Sequence, residues 1–163
     1  MADVAGLDAI DRKILRLVQQ HGRMTNAALA EAVGLTPTPM LQRMRKLEQA
    51  GVIERYAAIV DPAKVGRPVL AFVHVTLKSH EAAVHAKLLS LVKELPEVVE
   101  CHHIAGEEDF LLKVAMKSIP ELEHLLFRLG GSGVIARIKT TFVLSSAKSS
   151  SPIHIDEGEE AKS

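Results

Sequence analysis

Residues 34–43 read GLTPTPMLQR, and the way this stretch folds decides what the N-terminal third of the chain is. Pro37 and Pro39 stand one residue apart, yet Met40, Leu41, Met44 and Leu47 recur at helical spacing immediately after them. A proline inside a helix costs about 3 kcal/mol. The first turn is different, because its N–H groups have no intrahelical acceptor to lose. The stretch therefore reads as the start of a helix running from about Pro37 to Ala50 and stopped by Gly51. Two caps satisfy this reading. Thr36 can cap with Pro37 as the first helical residue, or Thr38 can cap with Pro39 first, which suits the extended preference of a residue before proline.

Upstream, Asp8 can cap a helix in which Ile10, Ile14, Leu17 and Val18 share a face, with Gly22 as its stop. Thr25 or Asn26 caps a second, short helix carrying Leu29, Ala30 and Val33 and ending at Gly34. Three short helices with three-residue joints cannot bury a face separately, so they are expected to pack as a trihelical unit. Ala30 followed by Gly34 has the spacing of a helix-turn-helix. The alanine permits close approach, and the glycine takes the left-handed backbone at the turn. Met40, six residues further, falls where an apolar side chain must plug the angle between the helices.

With Met40, Met44 and Leu47 inward, the other face of the third helix carries Thr38, Gln42, Arg45, Lys46 and Gln49, flanked by Arg43. Gln42 can pair with the N6 and N7 edge of adenine, and the Thr38 methyl can meet a thymine methyl. Arg43, Arg45 and Lys46 suit phosphates, or guanine if one reaches the groove floor. Thr36 and Pro39 would set how the helix enters a major groove. Twenty basic residues balance twenty acidic ones in the chain, so the clustering of cations on one helix is the informative feature.

Further on, Val52-Ile53 and Tyr56–Val60 look like a strand, Asp61-Pro62 turns the chain, and Gly66-Arg67-Pro68 marks a linker. From Val69 the pattern is strand (69–77), helix (81–95), strand (98–104), strand (110–116), helix (119–129), strand (135–144). That order is the split βαβ, ferredoxin-like arrangement, an antiparallel sheet with both helices on one face. Its uncovered face wants a partner, and homodimerisation through the sheets is the simplest solution. Residues 145–163, Ser-rich and then acidic, read as a disordered tail.

Apolar residues make up 47% of the 163-residue chain but aromatics only 3%, so the core is built from Leu, Val, Ile and Ala. Cys101 is the only cysteine; with no intrachain disulfide possible, a reducing cytoplasm is the expected setting. No signal segment or apolar run of about 18 residues is visible, which argues against a membrane partner.

Several residues together carry a resemblance: Leu7-Asp8…Asp11-Arg12…Ile14-Leu15, Gly22-Arg23, Gly34-Leu35-Thr36-Pro37-Thr38-Pro39…Arg43…Leu47-Glu48…Gly51-Val52-Ile53, then Glu100-Cys101-His102, Gly106…Asp109-Phe110-Leu111-Leu112-Lys113 and Thr140. Over residues 7 to about 144 the chain resembles the leucine-responsive regulator/asparagine regulator (Lrp/AsnC, "feast/famine") transcription factors. The resemblance implies an α+β chain: a helix-turn-helix (winged-helix-like) DNA-binding domain in residues 1–53, a strand and linker in 54–68, and a ferredoxin-like βαββαβ, ACT-like amino-acid-regulation domain in 69–144. It implies dimers assembling to tetramers or octamers on double-stranded DNA, no cofactor, and a small amino-acid effector held between dimers. Its effector residues would be Gly106, Glu107, Glu108, Asp109 and Phe110 of the hairpin together with Thr140, with Asp109 receiving the ligand's ammonium group. Here Glu107 stands where many relatives have Asp, and Ile138 where a second threonine is common.

Other readings of the same residues stand beside this one. Residues 105–109 can be a plain polar hairpin, glycine for the backbone and acids for solubility. His102 and His103, as strand neighbours, point to opposite faces and cannot chelate one ion together; no metal site is expected. Cys101 reads as a small core residue. No nucleophile with a glycine elbow or nearby base is evident, so an enzyme is not expected. The alternatives are a siroheme-decarboxylase-like enzyme using His102, His103 and Arg137 on the same plan, and a nucleoid-packing protein without operator specificity.

Overall fold

The computed structural model describes residues 6–157. The chain divides into two units, one formed by residues up to Ile59 together with those from Lys148 on, the other by Val60–Ala147.

In the first unit α1 (Ala9–Gln20) begins with a reciprocal cap. The Asp11 N–H donates to Asp8 Oδ1 at 2.8 Å, and the Asp8 N–H donates to Asp11 Oδ2 at 3.4 Å. Thr25 caps α2 (Asn26–Val33), accepting the Ala28 N–H at 3.2 Å. Gly34 ends that helix at φ 72°, a conformation that costs a residue with Cβ more than glycine. Helix α3 spans Pro37–Gln49 with Thr36 as its N-cap, extended at φ −83° and ψ 161°. Pro37 is thus the first helical residue and Pro39 the third, which resolves the two caps. The extended preference before proline is met by Thr36, and Thr38 accepts the helical conformation inside the first turn. Ile14, Leu29, Ala30, Met40, Met44 and Leu47 close the core of the unit. Burying each of the larger ones is worth about 1.5–3 kcal/mol.

Two expectations are corrected here. Residues 52–60 form no strand; Ile53 packs on the helical core, but Tyr56–Val60 runs extended without a ladder partner and Ile59 is 76% exposed. Alternating apolar residues make a strand only where a free sheet edge meets them, and none does within the described residues. The carboxy-terminal segment is likewise not free of structure as far as Glu157: Ile155 packs against the helical core, and Ile153 is hydrogen-bonded to Gln19. Residues 158–163 of that expected tail lie outside the described residues.

The second unit follows the expected order: β1 (Val69–Leu77), α4 (Ala82–Lys93), β2 (Val98–His103), β3 (Phe110–Met116), α5 (Ile119–Gly130) and β4 (Ile135–Phe142). The sheet order is β2-β3-β1-β4 with every neighbouring pair antiparallel. Register sorts the side chains. Ala71, Val73, Val75 and Leu77 share the helix-covered face with Phe110, Leu112, Val114 and Met116, sealed by Leu88, Val92, Leu122, Leu125 and Leu129. Leu70, Phe72, His74 and Thr76 alternate onto the uncovered face and stay half-buried.

Candidate nucleic-acid interface and effector loop

Helix α3 separates into two faces as its periodicity demands. Met40, Met44 and Leu47 are buried, whereas Thr36, Thr38, Gln42, Arg45, Lys46 and Gln49 are exposed and Pro39 is half-buried. Leu41, expected inward, is 38% exposed; it lines a groove with Val18, Met24, Leu29 and Tyr56 instead. The ion pairs of this unit engage Arg16, Arg43 and His154, leaving Arg45 and Lys46 unpaired among the described residues.

Arg43 departs from the outward-facing role expected of it. Its Nη1 sits 2.6 Å from Asp8 Oδ2 and 2.6 Å from Asp11 Oδ1. Asp11 is 1% exposed, the one charged side chain buried in the described residues, and a buried carboxylate is tolerable only with such a partner. Partial burial opposes ionisation of Asp8, but the Asp11 N–H and the Arg43 guanidinium outweigh it and hold its carboxyl below the usual range. Hydrogen bonds to Asp11 and Asp8 raise Arg43 further still. Arg43 therefore fastens α3 to the first turn of α1. Spacing alone could not reveal this, because the partners lie 35 and 32 residues away.

Tyr56 adds a second fastening that sequence reasoning missed. Its hydroxyl donates to Glu48 Oε1 at 2.9 Å, which pins the segment after α3 to the end of that helix. Burial, then the Glu48 carboxylate, push the phenol up to about 12.

In the second unit the hairpin 104–109 is built differently from expectation. Asp109 Oδ2 accepts the Leu77 N–H at 2.7 Å, and Oδ1 lies 3.4 Å from His80 Nδ1. Its main chain is also used: the N–H donates to the Val75 carbonyl and the carbonyl accepts from Ile104, both at 2.9 Å. This carboxylate, expected to meet an ammonium group, staples the hairpin to the end of β1, at the register shift after Thr76. Phe110, expected in the effector loop, points into the core of its own chain. Its ring is 2% exposed, inside the core, stacked on His103 at 4.8 Å and tilted against His85 at 5.5 Å. Thr140 pairs with Val73 on β4, and β1 lies between it and the hairpin. A single chain therefore does not bring Thr140 and Asp109 together.

Gly106 and Glu107 remain exposed, and the N–H groups of Gly106, Glu107 and Glu108 donate to no main-chain carbonyl among the described residues. Glu108 turns back over the uncovered sheet face, 3.4 Å from Lys139 Nζ and 4.0 Å from His74 Nδ1. The alternation of β1 and its register with β4 set His74 opposite Lys139, a pairing invisible before the strands are aligned. At the far edge of that face the Lys113 ammonium, 2.7 Å away, holds Glu100 below the usual carboxylate range against partial burial, with help from His102.

His102 lies on the uncovered face beside Glu100 at 3.3 Å, while His103 stacks on Phe110 on the other. Arg137 is on β4, at the opposite edge of the sheet from β2, so these three do not converge on one cleft. No group of three or more His, Cys, Asp or Glu is placed to hold a metal ion among the described residues. Cys101 packs against the core, and burial pushes its thiol up. No helix among the described residues is long and apolar enough to cross a membrane.

Comparison with known proteins places this geometry. The family model described as the Lrp/AsnC ligand binding domain matches residues 70–153, and that described as winged helix-turn-helix DNA-binding matches residues 7–54. The leucine-responsive regulatory protein of Klebsiella pneumoniae is 40% identical over 120 residues, spanning 74% of this chain and 73% of that protein. The Escherichia coli K12 protein of the same name is 39% identical over the same share. Among solved structures, a transcriptional regulator from Neisseria meningitidis in complex with L-Met superposes with a TM-score of 0.86 at 32% identity, covering 92% of this chain and 97% of that one. A feast or famine regulatory protein from M. tuberculosis complexed with L-methionine gives 0.83 at 34% identity, over 92% and 99%.

Proposed function

The chain belongs to the Lrp/AsnC family, and from that premise we propose that it is a homo-oligomeric transcriptional regulator, cytoplasmic and without catalytic activity, that reads duplex DNA with α3 and responds to a small amino acid. One observation carries the reading. α3 is locked on one side by Met40, Met44 and Leu47, and displays on the other an amide, a hydroxyl and two cations with no internal partner. Thr38 and Gln42 read base edges, Arg45 and Lys46 meet phosphates, and Thr36 and Pro39 set the approach of the helix. Arg43 acts indirectly by fixing the angle of α3.

The effector binds at the hairpin. The free N–H groups of residues 106–108 receive its carboxylate, and the ammonium group is met by carboxylates of the same loop, Glu107 foremost because it is exposed. The two relatives solved with L-methionine make an amino acid the leading ligand class. Thr140 contributes only across an assembly, since β1 screens it from the hairpin of its own chain. The uncovered sheet face, with Leu70, Phe72 and Leu111 half-buried, docks a second copy, and dimers assemble further into tetramers or octamers.

The test pairs two variants on selected and random duplexes. Lys46→Ala weakens binding to both and lowers the salt slope by about one ion. Gln42→Ala costs about 1–3 kcal/mol of discrimination and leaves random-duplex affinity unchanged. Equal losses on both duplexes for Gln42→Ala would refute the base-reading role. A panel of the twenty amino acids, read by thermal shift and light scattering, tests the effector site; a ligand that prefers one assembly state must bias it.

A further inference from the structure

The carboxy-terminal segment, whose composition is that of a solvated tail, is attached to the helical unit by several different contacts. The Gln19 side-chain amide brackets one residue: its Nε2 donates to the Ile153 carbonyl at 3.1 Å and its Oε1 accepts the Ile153 N–H at 2.7 Å. One turn back along α1, Arg16 Nη1 donates to the Ile155 carbonyl at 3.4 Å, and Nη2 lies 3.8 Å from Glu157 Oε1. Ile155 packs on the core formed by Ile14, Leu15, Leu29 and Leu47. The Arg16–Glu157 pair is solvent-exposed and contributes little; the backbone hydrogen bonds and the half-buried Ile155 hold the segment.

Charge shows what the attachment does. Residues 1–59 carry eight Lys or Arg against six Asp or Glu, and residues 150–157 carry none against two, Asp156 and Glu157. Docking the segment therefore cancels the net positive charge of the unit that bears α3. We propose that residues 150–157 form an internal strap on α1 whose acidic end weakens the attraction of the helical unit for DNA of any sequence. Non-specific binding comes almost wholly from phosphate neutralisation and counterion release. Carboxylates held on the same unit oppose that attraction over the screening length, about 10 Å at moderate salt. Specific complexes make the same phosphate contacts, so the strap lowers affinity for chosen and bulk sites alike. It rests on the DNA-binding reading above.

The experiment compares the full chain with three variants by fluorescence-anisotropy titration of a random-sequence duplex across a salt series. One variant ends at Ala147. The second keeps the strap but neutralises it (Asp156→Asn, Glu157→Gln). The third, Arg16→Ala with Gln19→Ala, loosens it, and is checked by faster amide exchange at residues 153–157. The truncated and neutralised chains bind the random duplex about three- to ten-fold tighter at low salt, a gap that closes as salt screens the carboxylates. Should truncation unsettle the helical unit through loss of Ile155, the neutralised chain retains every docking contact but Glu157 and still decides the matter. Equal affinity and equal salt slope for the full and neutralised chains overturn the strap while leaving DNA binding intact. Absence of duplex binding by all four proteins overturns the DNA-binding reading and the strap with it.

Discussion

The outward ridge of α3 and the hairpin between β2 and β3 start from similar material, a short run of polar side chains beside an apolar element, yet the fold treats them in opposite ways. On α3 the polar side chains Thr38, Gln42, Arg45 and Lys46 stay exposed. In the hairpin Asp109 is drawn inward to the Leu77 N–H, and Glu108 to Lys139 and His74. The reason lies in the backbone. An α-helix satisfies its own N–H groups beyond the first turn, so its outer side chains are free to serve a partner. A strand end leaves main-chain groups that must find an acceptor locally, and the nearest carboxylate is consumed. Arg43 is the exception on the helix for a matching reason: a buried charge, Asp11, needed it more than any surface did.

That contrast can be broken first at Arg43. Arg43→Met strands the Asp11 carboxylate, and the helical unit loses about 2–4 kcal/mol in urea unfolding, a loss tempered by the partial exposure of the arginine. Because Asp8 titrates below its usual range when folded, the stability it contributes is present above the unfolded pKa and drains away as pH falls below about 4. Arg43→Met flattens that acid limb, which a pH series of melting temperatures reads directly. Lys46→Ala, on the free side of the same helix, leaves both unchanged.

A smaller effect sharpens the other half. Asp109→Ala leaves the Leu77 N–H without its acceptor and costs the sheet unit about 1–3 kcal/mol, whereas Asp109→Asn keeps an acceptor oxygen and most of the stability. If the alanine variant is as stable as the parent, the staple is not structural, and Asp109 returns as a ligand group. The smallest effect belongs to Tyr56→Phe, about 0.5–1 kcal/mol of the helical unit. With the folded phenol at about 12, its contribution is complete below the unfolded value near 10 and is lost as pH rises from there. The phenylalanine variant lacks that part of the alkaline decline.

Much of this was legible along the chain. The cap at Asp8, the turn at Gly34, the buried Met40 and Met44, and the order of strands and helices follow from periodicity and turn chemistry, which are local; Thr25 or Asn26 stood as the cap of α2 until the Ala28 N–H was seen to donate to Thr25. The Pro37 and Pro39 problem was bounded by the same rules but left two caps open, and only the backbone angles of Thr36 chose between them. Residues 52–60 misled because apolar alternation describes a strand's surface and not the presence of a neighbour to pair with. The carboxy-terminal segment misled because its composition is that of a solvated tail, while one isoleucine and a distant glutamine suffice to dock it.

The amino-acid order by itself determined the inward and outward pattern of the helices and strands, Leu41 and Arg43 apart, since side-chain direction repeats every 3.6 residues in a helix and every two in a strand. Only the folded arrangement decided which outward residues remain available. Arg43, Asp109 and Gln19 each met a partner far along the chain, and the demand of a buried charge, an unpaired N–H or an uncovered core is set by what surrounds it in space.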